Sequence, residues 1–325
     1  MKTYQISNSD LTVSRIAYGC MNLGGAWDDQ SVTAANKKTA IAAIVTACES
    51  GINLFDHADI YMRGKSERAF AEIWPAIPGI RDNIILQSKC GIRFPDDPQK
   101  GMPGRYDFSC EHIIRSVEGS LKRLQTDYLD ILLLHRPDPL IEPEEVARAF
   151  SDLRQSGKVR YFGVSNHTGA QIALLQKFVD QPLIVNQVEL SLLHSHLIDE
   201  GVTFNQHHPG DCRTEGTLSY CRLHDILIQA WSPVAGGRLF KNEWEIENPA
   251  QKSAAALLQK MSAEKQTSLE AIALGWLLRH PAQIQPIIGT TKPARIRASV
   301  LADNIQLTRE EWYELFIAAR GASMP

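Results

Sequence analysis

The sequence predicts a (β/α)8 TIM barrel, and three observations carry that reading. Short runs rich in Ile, Val and Leu alternate with amphipathic stretches, these apolar runs number eight, and the first lacks a G-x-G-x-x-G turn. Continuous apolar strands alternating with helices imply parallel pairing with both faces of the sheet covered. Eight strand–helix repeats favour a closed barrel over an open doubly wound sheet. The missing glycine turn removes support for the usual open-sheet dinucleotide site. The 325 residues suit one such barrel, read as a single domain over 1–325.

In chain order the candidate strands are IAYGC (16–20), NLFDHA (53–58), IILQSKC (84–90) and LDILLLH (129–135), then VRYFGVS (159–165), LIVNQVEL (183–190), ILIQAWSP (226–233) and IQPIIGT (284–290). Helical patterns between them include TAIAAIVTACES (39–50), CEHIIRSVEGSLKRL (110–124) and PEEVARAFSDLRQSGK (143–158). The last begins with proline and acids and stops at a glycine, sound start and stop chemistry. Three features fall outside the repeat. YQISNSDLTVSRI reads as an N-terminal hairpin able to plug the barrel floor, EGVTFNQHHPGDCRTEG (200–216) as a long polar loop, and LTREEWYELFIAAR as an extra C-terminal helix capped by Thr308.

Composition narrows the function classes. The chain is 44% hydrophobic and 22% charged, with formal net charge −3, an ordinary globular balance that argues against nucleic acid or a membrane surface as partner. No signal-like n-region opens it, and no apolar run reaches the ~18 residues of a membrane span. The six cysteines are scattered without a CxxC pair, which reads as free thiols in the cytoplasm. His207, His208, Asp211 and Cys212 have no second pair at ligand spacing, so no metal is expected. Nothing in the sequence sets the oligomeric state.

Polar residues close the apolar strands. Asp56 follows Leu54 and Phe55, Lys89 follows IILQS, His135 ends LDILLLH, Ser165 and Asn166 end the fifth strand, and Gln187 sits in the sixth. Carboxyl strand ends share one mouth in a barrel, so these side chains should converge. Among them Asp56, Lys89 and His135, with Tyr61, have a chemical logic. A phenol gives up its proton reluctantly near its ordinary pKa of ~10. A neighbouring ammonium favours phenolate, and a carboxylate keeps a desolvated lysine charged. Tyr61 then reads as a general acid, with His135 orienting a substrate oxygen. Asp56 and Lys89 also read as a structural ion pair across strands, and Tyr61 as an ordinary rim aromatic.

These same stretches resemble the aldo-keto reductases, specifically a bacterial NADP-dependent oxidoreductase subgroup, over nearly the whole chain. NLFDHADIY keeps the aspartate, alanine and tyrosine of the family's D-T-A-x-x-Y pattern, SKCG carries its lysine, and YLDILLLHRPDP its histidine. The resemblance implies a tetrad of Asp56, Tyr61, Lys89 and His135 and NADPH-dependent reduction of small-molecule carbonyls. It places Ser165, Asn166 and Gln187 on the carboxamide of a nicotinamide laid across the barrel mouth. It makes Trp231 (in AWSP, where the family usually has A-Y-S-P) the stacking platform. Ser232, Pro233, Val234, Gly236 and Arg238 then belong to the diphosphate loop. Gly289, Thr290, Thr291, Lys292, Arg295 and Ser299, within PIIGTTKPARIRAS, correspond to the adenosine-phosphate site, with NADP expected over NAD. Met21 takes a pocket-wall position often held by tryptophan.

Two other readings remain open: a Schiff-base lyase with Lys89 as nucleophile, and a nucleotide-sensing regulatory subunit. Substrate choice is expected to rest on loops 21–33, 92–108, 200–216 and 236–250.

Overall fold

The computed structural model describes residues 1–203, 216–241 and 245–325. Two short strands, β1 (Thr3–Gln5) and β2 (Thr12–Ser14), pair antiparallel as the expected hairpin. The barrel then runs through β3 (Ala17–Gly19), β4 (Leu54–Asp56) and β5 (Ile85–Cys90). A small ribbon, β6 (Ile92–Arg93) and β7 (Arg105–Tyr106), interrupts it before β8 (Leu129–Leu134), β9 (Val159–Ser165), β10 (Leu183–Glu189), β11 (Leu227–Trp231) and β12 (Gln285–Ile288). The eight long-range partners close in the order β10-β11-β12-β3-β4-β5-β8-β9, all parallel. Each barrel strand falls inside one of the eight apolar runs.

Helices follow the strands: α1 (Ala34–Glu49), α2 (Lys65–Ala71), α3 (Ile73–Ala76), α4 (Cys110–Leu124), α5 (Pro143–Gln155), α6 (Gly169–Gln176), α7 (His196–Asp199), α8 (Thr217–Leu223), α9 (Pro249–Glu264), α10 (Leu269–Leu278), α11 (Pro293–Val300) and α12 (Arg309–Arg320). Helix α4 has the bounds read from sequence, with Ser109 accepting from the His112 amide at its start. Helix α1 starts five residues earlier than the apolar period suggests, because Thr33 caps the Asn36 amide there. Thr308 and Glu311 form a reciprocal capping box on α12. Trp312 of α12 stacks on Trp276 of α10 at 5.1 Å, and each indole N–H donates to the other's backbone carbonyl.

Two apolar layers hold the barrel. Inside it, Ile6, Leu11 and Val13 of the hairpin pack against Leu54, Ile85, Ile131, Leu133, Val185, Leu227 and Ile287. The hairpin therefore closes the floor, each buried aliphatic side chain contributing roughly 1.5–3 kcal/mol. A larger cluster fills the space between strands and helices. Loop 92–108 is fixed by buried Arg93, which donates to Asp97 at 2.9 Å and Asp107 at 2.7 Å. Most of the polar loop expected at 200–216, including His207, His208, Asp211 and Cys212, lies outside the described residues, as do 242–244 of the expected loop 236–250. Among the described residues no helix is long and apolar enough to cross a membrane.

Candidate active site

Backbone bonds beyond the strand ends place the key side chains. The His57 amide donates to Gln87 O at 2.8 Å and the Asp59 amide to Lys89 O at 3.0 Å, carrying the β4 ladder past Asp56. The chain then turns through Ala58 and brings Tyr61 back over β5. His135 follows β8, its amide bonded to Cys90 O at 2.9 Å.

Lys89 sits at the centre. Its Nζ donates to Asp56 Oδ2 at 2.7 Å, Asp56 Oδ1 at 2.8 Å, His57 O at 2.9 Å and Tyr61 Oη at 2.9 Å. Its side chain has no exposed surface and that of Asp56 is 3% exposed, so the pair is an internal one whose geometry must offset the loss of water. The His135 ring meets Tyr61 edge to face, centroids 5.9 Å apart. The tetrad expected from sequence is thus one contiguous group.

Electrostatics fix the protonation states. Burial pulls the Lys89 pKa down, but Asp56 and Tyr61 together outweigh it, and the ammonium is held above its ordinary value. Burial pushes the Tyr61 phenol up, with Asp56 adding to the rise, while the charge and hydrogen bond of Lys89 pull it down. The net direction is upward. This corrects the expectation of a lowered phenol: the lysine acts with the sign inferred, but a dry site opposes phenolate more strongly. Burial, Lys89 and Arg136 hold His135 well below the usual imidazole range, so it is neutral at neutral pH.

Below the tetrad lies a set of buried glutamines that the sequence reading did not recognise as a group. Gln285 Nε2 donates to Ser14 O at 2.7 Å, Gln229 Nε2 to Gln285 Oε1 at 2.9 Å, and the amides of Gln87 and Gln187 to Gln229 Oε1 at 2.8 and 3.0 Å. The amides of Gln87 and Gln187 also reach Asp56 Oδ1, at 2.6 and 3.0 Å. The chain of amides therefore points N–H groups at the carboxylate that holds Lys89. Its sequence signal was a glutamine inside each of four otherwise apolar strands.

Above the tetrad opens a cavity of 540 Å³, within the usual range for a small-molecule or cofactor site. Asp56, Tyr61 and His135 line it, with Lys89 behind them. Of the expected cofactor residues, Met21, Ser165, Asn166, Gln187, Trp231, Ser232, Pro233, Val234, Gly236, Gly289, Thr290, Arg295 and Ser299 line the same cavity. Arg238, Thr291 and Lys292 are not among its lining residues; the Arg238 guanidinium instead donates to Ala235 O at 3.1 Å. Arg136, Asn22, Phe240 and Glu270 line it without having been singled out.

The expected carboxamide residues are already joined. Trp231 Nε1 donates to Asn166 Oδ1 at 3.0 Å, Asn166 Nδ2 to Ser165 Oγ at 2.7 Å, and Ser165 Oγ to Gln187 O at 2.8 Å. Gln187 uses its nitrogen on Asp56 and Gln229, leaving its Oε1 as an acceptor at the cavity wall. At the far side, Gly236 has φ 67° and open space where a Cβ would stand, a backbone able to approach a phosphate closely. Arg295 there meets Glu270 at 3.2 Å. An aromatic face, an amide acceptor, an open glycine backbone and a cation fit the parts of a nicotinamide dinucleotide.

The aldo/keto reductase family model matches residues 15–318, and the chain belongs to this family of oxidoreductases, which use nicotinamide cofactors. It is 40% identical over 275 residues to Oxidoreductase YdhF of Escherichia coli, covering 85% of each chain. It is 37% identical over 319 residues to 6-dehydroglucose reductase of Agrobacterium fabrum, covering 98% of each. An aldo/keto reductase from Klebsiella pneumoniae, solved with NADP and acetate, has the same fold at TM-score 0.70 and 24% identity, over 94% of this chain and 90% of that one.

Proposed function

We propose that the protein reduces aldehyde or ketone carbonyls to alcohols with NADPH, Tyr61 being the general acid. One observation carries this reading: Lys89 donates to Tyr61 Oη at 2.9 Å while bonded to Asp56, directly beneath a cavity lined by Tyr61 and His135. Because Lys89 donates a hydrogen bond to the phenol oxygen, the phenol's own O–H is left to donate to a substrate oxygen. The raised pKa keeps that proton in place at neutral pH. The bound coenzyme would supply hydride to the carbonyl carbon, passing to NADP+. As the C=O bond opens, Tyr61 gives its proton to the oxygen, and the phenolate left behind is stabilised by the ammonium beside it. Neutral His135 orients that oxygen without adding charge.

For the coenzyme, Trp231 would carry the nicotinamide ring, Ser165, Asn166 and Gln187 its carboxamide, Gly236 the diphosphate, and Thr290, Arg295 and Ser299 the adenosine phosphate. The Thr290 hydroxyl and the Arg295 cation at the start of α11 favour NADPH over NADH. The Klebsiella enzyme's NADP complex and the Agrobacterium relative's named substrate, 6-dehydroglucose, support the class of coenzyme and substrate. A Schiff-base role for Lys89 is disfavoured, since its ammonium is buried, raised in pKa and fully engaged. The test is a panel of aldehydes and ketones, 6-dehydroglucose included, followed by coenzyme absorbance with NADPH and NADH. Carbonyl-dependent oxidation, faster with NADPH, is expected. Tight NADPH binding with no turnover on any member would instead fit a nucleotide-sensing subunit.

A further inference from the structure

Arg136 stands apart from the other charged residues of the cavity. Asp56 is tied to Lys89, and Glu270 to Arg295. Outside the cavity lining, Arg63 just before α2 and Lys65 at its first residue meet Asp29 and Asp28. Arg136 is half-buried and lines the cavity, yet among the described residues its side chain donates no hydrogen bond and forms no ion pair. Its guanidinium instead lies 5.4 Å from the centroid of the Trp231 ring. A planar group with five N–H donors is thereby held in place with its donors unspent.

Its place in the barrel says what those donors face. Arg136 directly follows His135 at the end of β8, on the side of the mouth that carries the proposed acid and the orienting imidazole. In the closed order β8 lies four strands from β12, so it stands across the mouth from the Thr290–Arg295 segment assigned above to the adenosine phosphate. With the coenzyme placed as proposed, its nicotinamide on Trp231 and its adenosine phosphate at α11, the β8 side beside Tyr61 and His135 is left for the substrate. A guanidinium fork matches the paired oxygens of a carboxylate or a phosphate, and partial withdrawal from water strengthens that match.

We propose that Arg136 is a specificity-determining residue that selects carbonyl substrates bearing an anionic group, its guanidinium binding the carboxylate or phosphate while the carbonyl lies at Tyr61 and His135. The proposal rests on the carbonyl-reductase reading of the site and names its substrate class. A neutral isostere leaves the fork unpaired, so discrimination appears in substrate affinity. The guanidinium lies over the Trp231 ring, and a flexible ammonium at the same position would reproduce only its charge.

The experiment compares matched aldehydes with NADPH: succinic semialdehyde against butanal, para-carboxybenzaldehyde against benzaldehyde, and glycolaldehyde phosphate against glycolaldehyde. The third pair separates phosphate from carboxylate. The native protein should favour the anionic member of at least one pair by about 10-fold or more in kcat/KM. Arg136→Met should lower kcat/KM for that member by about 10- to 100-fold, mainly through KM, and bring the ratio near unity. Arg136→Lys should restore part of the preference. NADPH affinity, read by tryptophan fluorescence, should shift little in either variant. A native ratio near unity for all three pairs would overturn the proposal, as would an Arg136→Met variant that slows both members equally or mainly weakens NADPH binding. If no aldehyde is reduced, the reductase reading fails, and benzoate binding still decides the role of Arg136. Thermal stabilisation by benzoate in the presence of NADP+, lost in Arg136→Met, supports an anion site; equal response in both proteins refutes it.

Discussion

The two sides of the cavity are built differently. Where β4, β5 and β8 end, the Lys89 ammonium is fully enclosed and held by four contacts of 2.7–2.9 Å, with buried glutamines bracing Asp56 behind it. Where α11 begins, Arg295 is about half exposed, at 48%, and meets Glu270 through one 3.2 Å contact. A proton donor needs fixed neighbours and little water, because every electrostatic contact on it then counts for more. The side proposed to take up and release a dinucleotide keeps its cation solvated, where contacts are weak and easily exchanged.

The largest effect should come from breaking the enclosed side. Lys89→Met removes the support beneath the Tyr61 oxygen and should lower carbonyl reduction by about 10²–10⁴-fold in steady-state assays. Asp56→Asn removes the charge opposite a buried ammonium, and urea denaturation should show a loss of about 3–5 kcal/mol. If either variant behaves like native protein, the ionic core is not the organising feature of the site.

Acid should weaken the fold through its buried histidines. Burial holds His57 down to about 3, and His167 and His280 to about 4, against ~6.5 in the unfolded chain. Below ~6.5 the unfolded chain binds protons the folded one refuses, so stability falls as pH drops, by about 1.4 kcal/mol per pH unit for each group. Asp59 works in the other sense: burial pushes it up to about 8, and its contribution is lost as pH rises from ~4 toward that value. These three histidines, with His135 also held well below the imidazole range, outweigh one carboxyl, so denaturation midpoints should fall between about pH 6.5 and about pH 4. His57→Phe should remove one proton from that slope.

Smaller effects sharpen the contrast. Gln229→Leu leaves the amides of Gln87 and Gln187 and the oxygen of Gln285 short of a partner, and should cost about 1–3 kcal/mol by denaturation. On the exposed side, Glu270→Gln frees Arg295 and should raise the NADPH-over-NADH ratio of kcat/KM by several-fold, roughly to 10-fold. The midpoint of unfolding should stay in place, as for other exposed pairs. A large stability loss there would erase the distinction between the two sides.

Legibility in the sequence follows the same division. The eight strands could be read because each is buried on both faces and is therefore a continuous apolar run, as in LDILLLH (129–135). Asp56, Lys89 and His135 could be read because an ionisable group ending such a run is conspicuous. The glutamine chain was harder to see. One glutamine in an apolar strand looks incidental, and only closure of the barrel sets Gln187, Gln229 and Gln285 in register. The pairing of Glu270 with Arg295 joins different helices and leaves no spacing signal. Arg238 reads like a phosphate ligand beside two glycines, but it bonds to the carbonyl of Ala235 in its own turn. The net rise of the Tyr61 pKa depends on how dry the finished cavity is, which no local pattern encodes.

The proposed reaction turns on the proton held by Tyr61. Tyr61→Phe keeps the ring, its edge-to-face packing on His135 and the cavity wall, and removes only the phenol oxygen. Turnover of an accepted aldehyde with NADPH should fall by about 10²–10⁴-fold, while NADPH binding, read by tryptophan fluorescence, stays within about twofold of native. Turnover equal to that of the native protein would show that another group supplies the proton.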